Sequence, residues 1–368
     1  MSDLVVQPTT IEAIKPHPNA DKLEIAVVGG WDIVTGKDNY SVGDVVVHIQ
    51  PDSMVPRQQA EEWGVAQYLS FKKNSDMGRV RAARLRSVTS FGFLAPNESG
   101  AAVGDDLAEH YGIKKYEPPI PVGMQAGQQR HEHPLFHRYT DIQNLRNYKE
   151  YLAYGEPLVI TEKIHGTNSR VGWVRDEASA DELLDNGGLN MLVIGTHRTQ
   201  RDPEECGVYG LPHELYGDAM AGVVNWLETH REEDEGRLNS VIFFGEIFGA
   251  GVQDLHYGAK DQKSYRLFDI AVNGEYLPWR TVEYLANEFG IPLVPVLAHG
   301  VFTFEDLVEL AQGDTTLEDE HIREGIVVHP WAIELKWGKG TKAPIQRRMI
   351  FKLISDEYLL RKGGSEYH

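Results

Sequence analysis

The sequence predicts an α+β protein in which a small all-β barrel precedes a larger mixed domain. Three observations lead there. Short apolar runs broken by glycine turns fill residues 1–110. A proline- and glycine-rich stretch occupies 111–139. From 140 to 368, strand and helix signals mix without βαβ regularity.

In the first segment the strand-like runs are Leu23–Val28, Val45–Ile49 and Arg79–Leu85. Turn signals at Gly29-Gly30, Gly36 to Asn39 and Val42 to Asp44 separate them. Several short strands at this spacing suggest a small barrel. The segment 111–139 carries Pro118, Pro119, Pro121, Gly123, Gly127 and Pro134 among polar residues and reads as a linker. His131, His133 and His137 cluster there, but their spacing fixes no common face for a metal.

In the second domain Tyr148–Tyr154 is expected to be helical, and Leu158–Ile160, Arg170–Val174 and Leu192–Thr196 to be strands. Met220, Val223, Val224, Trp226 and Leu227 recur at helical spacing within Gly217–Glu232. Strands are expected again at Val241–Phe244, Tyr265–Ile270, Gly325–His329 and Met349–Leu353. Helices are expected at Thr281–Phe289 and Phe304–Ala311. The acidic clusters 232–235 and 318–320 read as solvated loops.

Composition narrows the class. The hydrophobic fraction of 41% and charged fraction of 25% are ordinary for a soluble protein. A lone cysteine, Cys206, excludes an internal disulfide and a multi-cysteine zinc site. The opening residues lack a basic region followed by an apolar run. No window reaches the roughly 18–20 apolar residues of a membrane span, so a cytoplasmic protein without membrane contact is expected. The net charge of −19 argues against a surface coated for nucleic acid. Two segments run against it. Phe71–Arg86 holds Lys72, Lys73, Arg79, Arg81, Arg84 and Arg86, and Leu335–Lys352 holds Lys336, Lys339, Lys342, Arg347, Arg348 and Lys352. They favour local phosphate contact.

The stretch around which the chain is organised is Lys163-Ile164-His165-Gly166-Thr167-Asn168, between two strand-like runs. A lysine ending one strand, with glycine three residues on, suits a tight turn that faces its amine into a cleft. The segment resembles the Lys-x-x-Gly attachment motif of the covalent nucleotidyltransferases, the polynucleotide ligases and capping enzymes, and its His-Gly-Thr-Asn version resembles the RNA ligase branch. Further segments follow in the superfamily's order: Phe243–Gly249 around Glu246, Leu267–Ile270 around Phe268, Arg323–Val328 around Glu324, and Phe351–Leu353 around Lys352. His17–Leu23 with Val42–Val47 resembles an OB fold of the tRNA-binding kind. Arg84–Phe93 is similar to the closing strands of the N-terminal OB module in one RNA ligase family.

The resemblance implies an OB-type β-barrel at 1–110 and a nucleotidyltransferase (ligase adenylation) domain at 140–368. It implies an ATP-dependent RNA ligase. Lys163 takes AMP from ATP, passes it to an RNA 5′-phosphate, and a 3′-hydroxyl expels it, most naturally at nicks in duplexes. Catalysis falls to Lys163 and Lys352. Nucleotide binding falls to Glu162, Lys163, His165, Gly166, Asn168, Arg198, Glu246, Phe268, Glu324 and Lys352. Glu246 and Glu324 would hold Mg²⁺, or Mn²⁺, through its waters. The partner is RNA or a nicked RNA-containing duplex, and a monomer is expected.

These residue types suit the chemistry. A lysine of ordinary pKa, about 10.4, must lose a proton before it attacks phosphorus. Cations aimed at the α-phosphate stabilise the charge that builds there. Three departures stand out. His165 replaces the superfamily's aspartate, and Asn168 sits where DNA ligases often carry arginine. A second lysine of the last motif is missing, or supplied by Lys336, Lys339 or Lys342. Only sixteen residues follow Lys352, too few for the C-terminal barrel of DNA ligases and capping enzymes. The rivals are a DNA ligase or guanylyltransferase, and, from another class, a non-catalytic OB-containing nucleic-acid-binding protein. All adenylation motifs lie after residue 160, so removal of 1–110 is expected to spare self-adenylation.

Overall fold

A computed structural model describes residues 2–119, 126–152, 155–176, 189–231, 236–317, 321–332, 334–338 and 346–365. Lys339, Lys342 and the acidic clusters 232–235 and 318–320 lie outside them.

The N-terminal module is built from four small antiparallel sheets. Leu23–Val28 and Val45–Ile49 are strands with the bounds the sequence suggests. Leu23–Val28 pairs with Trp31–Gly36 through the two-residue Gly29-Gly30 turn, where Gly29 takes a positive φ of 56°. Arg79–Leu85, expected as one strand, is two: Met77–Arg79 and Ala82–Leu85. The second forms a hairpin with Val88–Phe91 through Arg86 and Ser87, both at positive φ. No glycine marks that turn, which hides it from a composition reading.

The described parts of the stretch expected as a linker pack on both bodies. Tyr111 and Ile113 are buried in the module's core with Val47, Ile49 and Val55, and Lys114–Lys115 pairs with Ser53–Pro56. Further on, Phe136 and Tyr139 are buried against Phe244 and Ile242 of the second domain.

Among the described residues that domain holds two large sheets and a two-stranded ribbon of Lys336–Trp337 with Arg347–Arg348. A five-stranded sheet has the order Gln143–Asn144, Phe351–Ile354, Gly325–Pro330, Leu158–Lys163, Val296–Gly300. A six-stranded sheet has the order Gln200–Arg201, Met191–Thr196, Thr167–Val174, Ser240–Gly249, Lys263–Val272, Glu275–Tyr276. Alternation along each strand explains what lies on either face. Leu158 and Ile160 pack with Leu307 of helix Phe304–Leu310. Val171, Phe243 and Leu267 pack with Met220 and Val223 of helix Leu211–Thr229 and Val282 of helix Trp279–Phe289. The opposite faces, carrying Thr161 and Lys163 on one sheet and Asn168, Glu246 and Phe268 on the other, enclose a cavity. Helix Leu211–Thr229 begins earlier than expected. Of the helix expected over Tyr148–Tyr154, residues 153–154 lie outside the described residues; the helix there runs Leu145–Tyr148, capped by Asn144, whose side chain accepts the Arg146 N–H, and passes into a 3₁₀ turn at Lys149–Tyr151.

Module and domain are fastened by buried groups. Arg146 inserts beside Trp31 and Phe91 and donates to the Gly30 carbonyl at 2.8 Å. Trp31 Nε1 donates to Asn147 at 2.7 Å, and Gln50 exchanges hydrogen bonds with the same asparagine. Gly30 has no room for a side chain, because a Cβ there would lie 2.8 Å from Arg146 Cα. The C-terminal residues return to the module, where Ser365 bonds Asp52, and Arg79 bonds Asp52 and the Gly364 carbonyl.

Candidate active site

The cavity between the sheets measures about 700 Å³, a volume ordinary for a nucleotide-sized ligand. Lys163 ends its strand there. Its Nζ donates to Glu324 Oε1 at 2.8 Å, and Glu324 is fully buried. The register accounts for the meeting, since Lys163 pairs with Gly325, the residue after Glu324. Lys352, also buried, lies on the next strand opposite Val327 and lines the same cavity.

Gly166 is needed for a reason other than the turn the sequence suggests. Its φ is not left-handed, but a Cβ would stand 2.1 Å from the Ile247 carbonyl oxygen and 3.0 Å from Glu246 Cγ. The glycine therefore lets the lysine loop lie against the Glu246 strand, and its N–H reaches the Glu246 carboxylate. Burial pushes that carboxyl up to about 8. Lys163 and the Gly166 N–H oppose the rise, and Glu324 adds to it.

Asn168 pairs across the sheet with Glu246, and its buried Oδ1 has no hydrogen-bond partner among the described residues. The donors Glu246, Glu324 and Asn168 are all hard oxygens. Among the described residues no group of three or more His, Cys, Asp or Glu forms a protein cage for a metal. A cation that keeps most of its water, as Mg²⁺ does, suits such a sparse oxygen set. Phe268 supplies an aromatic wall with Val294, Val327, Ile142 and Ile350, and Tyr139 meets its ring edge-on at 5.0 Å. Arg198 lies exposed at the rim, 3.9 Å from Glu117.

Two expected nucleotide contacts sit differently. The Glu162 carboxylate points to the helix side of its sheet, where Thr315, the Thr316 N–H and the Thr316 hydroxyl bond it at 2.5–2.8 Å. Glu162 is nonetheless among the residues that line the cavity. His165 is buried behind the wall and does not line the cavity.

The second basic segment is part scaffold. Arg348 is buried between Asp269, which also accepts the Tyr139 hydroxyl, and Glu334, bonded at 2.6 and 2.7 Å. In the first segment Arg79 is likewise buried, and Arg84 pairs with Glu357, whereas Lys72, Lys73, Arg81 and Arg86 face solvent. Tyr139, His329 and Gln253 line the cavity without a motif to announce them. For Asp269 a signal existed: an acid inside an apolar strand needs a buried partner.

An OB-fold module followed by two sheets around a strand-end lysine defines the nucleotidyltransferase class. An RNA ligase family profile matches residues 156–353 and an OB-fold domain profile matches 5–97. The chain belongs to the RNA ligase family. No curated protein matches it. Among solved structures it is similar to an apo mutant of Naegleria gruberi RNA ligase, with 22% identity, 98% of each chain covered and a TM-score of 0.74. A lysine-to-alanine mutant of that enzyme with ATP and Mn matches with 23% identity over 97% of this chain and 98% of that one, also at 0.74. No helix among the described residues is long and apolar enough to cross a membrane.

Proposed function

We propose that this chain is an ATP-dependent RNA ligase that works through lysyl-AMP. The observation that carries the reading is one cavity bordered by Lys163, Lys352, Glu246 and Phe268, with the lysine amine bonded to buried Glu324 at 2.8 Å. Lys163 Nζ, after giving one proton to solvent, attacks the α-phosphorus; a P–N bond forms, the bond to pyrophosphate breaks with its electron pair leaving on pyrophosphate, and the second amine proton passes to solvent. Glu324 holds the amine that must shed those protons. Lys352 places positive charge where the α-phosphate gains negative charge. Phe268 and its apolar neighbours form the slot for adenine. A bound Mg²⁺ or Mn²⁺ would supply further positive charge, and Glu246, Glu324 and Asn168 are the groups to hold it. AMP then passes to an RNA 5′-phosphate, and a 3′-hydroxyl attacks that end and expels AMP. The likeness to a ligase solved with ATP and Mn supports nucleotide and cation use.

The test is incubation with α-labelled ATP or GTP and a divalent cation, followed by denaturing electrophoresis. An acid-labile adduct with ATP, lost in Lys163→Ala, is expected, and an adduct surviving that substitution would sink the reading. Four nicked duplexes, RNA or DNA on either side of the nick, then test the substrate in single-turnover reactions. Sealing is expected where the 3′-hydroxyl side ends in ribonucleotides, since a protein distinguishes RNA by its 2′-hydroxyl or A-form shape. Equal rates for all four would favour a DNA ligase.

A further inference from the structure

The third residue of the lysine motif is an imidazole where the superfamily pattern has a carboxylate, and its partners come from distant parts of the chain. His165 Nδ1 lies 3.1 Å from the Tyr358 hydroxyl, and Nε2 lies 3.2 Å from Asp254 Oδ1. A carboxylate only accepts, so Nε2–H donates to Asp254, and Nδ1 shares a hydrogen with the Tyr358 hydroxyl. The His165 backbone N–H donates to the Tyr257 hydroxyl at 2.7 Å. The imidazole and the Tyr358 ring meet edge to face at 5.5 Å and 71°. Arg361 closes the set. It forks onto Asp254 at 2.7 and 3.2 Å, and its guanidinium covers the Tyr358 ring at 4.2 Å.

On its other side His165 faces the nucleophile's own anchor. Nδ1 is 3.9 Å from Glu324 Oε2, and the other oxygen of that carboxylate holds Lys163 Nζ. His165, Tyr358, Asp254 and Arg361 do not line the cavity, so none is placed to touch a bound nucleotide. Tyr358 and Arg361 lie beyond the 156–353 family match, in and just after the C-terminal helix Asp356–Leu360.

We infer that Tyr358, with Asp254 and Arg361, is a positioning residue for adenylyl transfer. It fixes the His165 ring, the ring packs the buried Glu324 carboxylate, and that carboxylate aims the Lys163 amine into the cavity. The C-terminal segment thereby belongs to the catalytic apparatus. The inference rests on the reading of Lys163 as nucleophile.

The test separates positioning of the lysine from general support of the fold. Lysyl-AMP formation uses the Lys163 amine as nucleophile, whereas sealing of a pre-adenylylated RNA nick does not. Tyr358→Phe and Asp254→Asn keep shape and remove one contact each. Rates of adduct formation at saturating α-labelled ATP, and of single-turnover sealing of a pre-adenylylated nicked RNA duplex, are compared with wild type below each protein's melting temperature. Both variants are expected to lose about 10- to 100-fold in the first rate, a loss typical of a group that orients a catalytic residue, and to stay within about twofold in the second. Apparent ATP affinity should hold, because no cavity contact changes. Equal loss of both rates would reduce Tyr358 to scaffold and overturn the inference. Unchanged adduct formation in a wild-type-like variant would overturn it while leaving the Lys163 reading intact. Wild-type protein that forms no adduct would overturn both.

Discussion

Lys163 Nζ and Glu324 Oε1 lie 2.8 Å apart where the end of the lysine strand meets the residue that leads into the neighbouring antiparallel strand Gly325–Pro330, with the lysine side chain 14% exposed and the carboxylate sealed from solvent. A buried charge is tolerated when it is paired, and removal of one partner leaves the other uncompensated. Glu324→Gln keeps the shape and an acceptor oxygen but removes the charge. Its rate of lysyl-AMP formation should fall on the order of 100-fold, the usual loss when one preorganised electrostatic contact goes. Pulse-labelling with α-labelled ATP measures it. A Glu324→Gln rate equal to wild type would mean that Lys163 is aimed by other groups.

Glu246 gives the protein a pH signature. Burial raises its carboxyl from 4.5 to about 8, so between those values the folded chain holds a proton that the unfolded chain has released. Stability therefore falls as pH rises through that window and levels off above it. In protein free of cation and nucleotide, melting temperatures from pH 5 to 8.5 should decline more steeply for wild type than for Glu246→Gln. Added Mg²⁺ should raise the melting temperature more at pH 8 than at pH 6, because the ion competes with that proton. Parallel wild-type and Glu246→Gln curves would place the titration elsewhere.

The junction between module and domain changes one expectation. Motif order alone suggests that residues 1–110 are dispensable for self-adenylation. Their removal, however, strips Arg146 of the Gly30 carbonyl and uncovers the surface that Trp31 and Phe91 close. A fragment starting at 111 is expected to melt well below the full chain and to adenylate weakly at 37 °C. Trp31→Ala, which empties a side chain only 2% exposed, should cost about 3–5 kcal/mol. Calorimetry with parallel adduct assays checks both. A fragment as stable and active as the full chain would restore the simpler division of labour.

The order of the motifs was legible because each is a short local pattern with its own strand. Glycine turns marked Leu23–Val28 and Val45–Ile49, and helical spacing marked most of Leu211–Thr229. What the sequence hid is contact across distance. The His165 environment depends on residues 89 and 193 positions further along the chain. The resemblance implies Glu162 as a nucleotide contact, and nothing in the sequence signals that its carboxylate bonds Thr315 and Thr316, 153 and 154 positions further on. Counting basic residues likewise merged Arg79 and Arg348, both buried in ion pairs, with neighbours that face solvent.

Arg348 carries the last prediction. Its guanidinium is buried beside Asp269 and Glu334 and covers the Tyr276 ring at 4.1 Å. Asp269 follows Phe268, and Arg348 lies two residues before Ile350, so the cluster pins the strand that carries Phe268 to the segment that carries Ile350, both in the wall of the cavity. Arg348→Met leaves buried Asp269 and half-buried Glu334 without their shared cation, a loss of about 3–5 kcal/mol. Burial raises both carboxyls, and Arg348 opposes the rise, so its removal lifts them further. An acid raised in the folded state costs stability as pH climbs above its unfolded value. Arg348→Met should therefore be least stable near pH 8 and recover toward pH 5, where the acids take up protons. Asp269→Asn added to Arg348→Met should restore part of the lost stability and flatten that slope, a coupling between contacting residues that single substitutions do not reveal. Calorimetry across this pH range measures it. Equal melting temperatures for wild type and Arg348→Met at pH 8 would show that the cluster contributes no net stability.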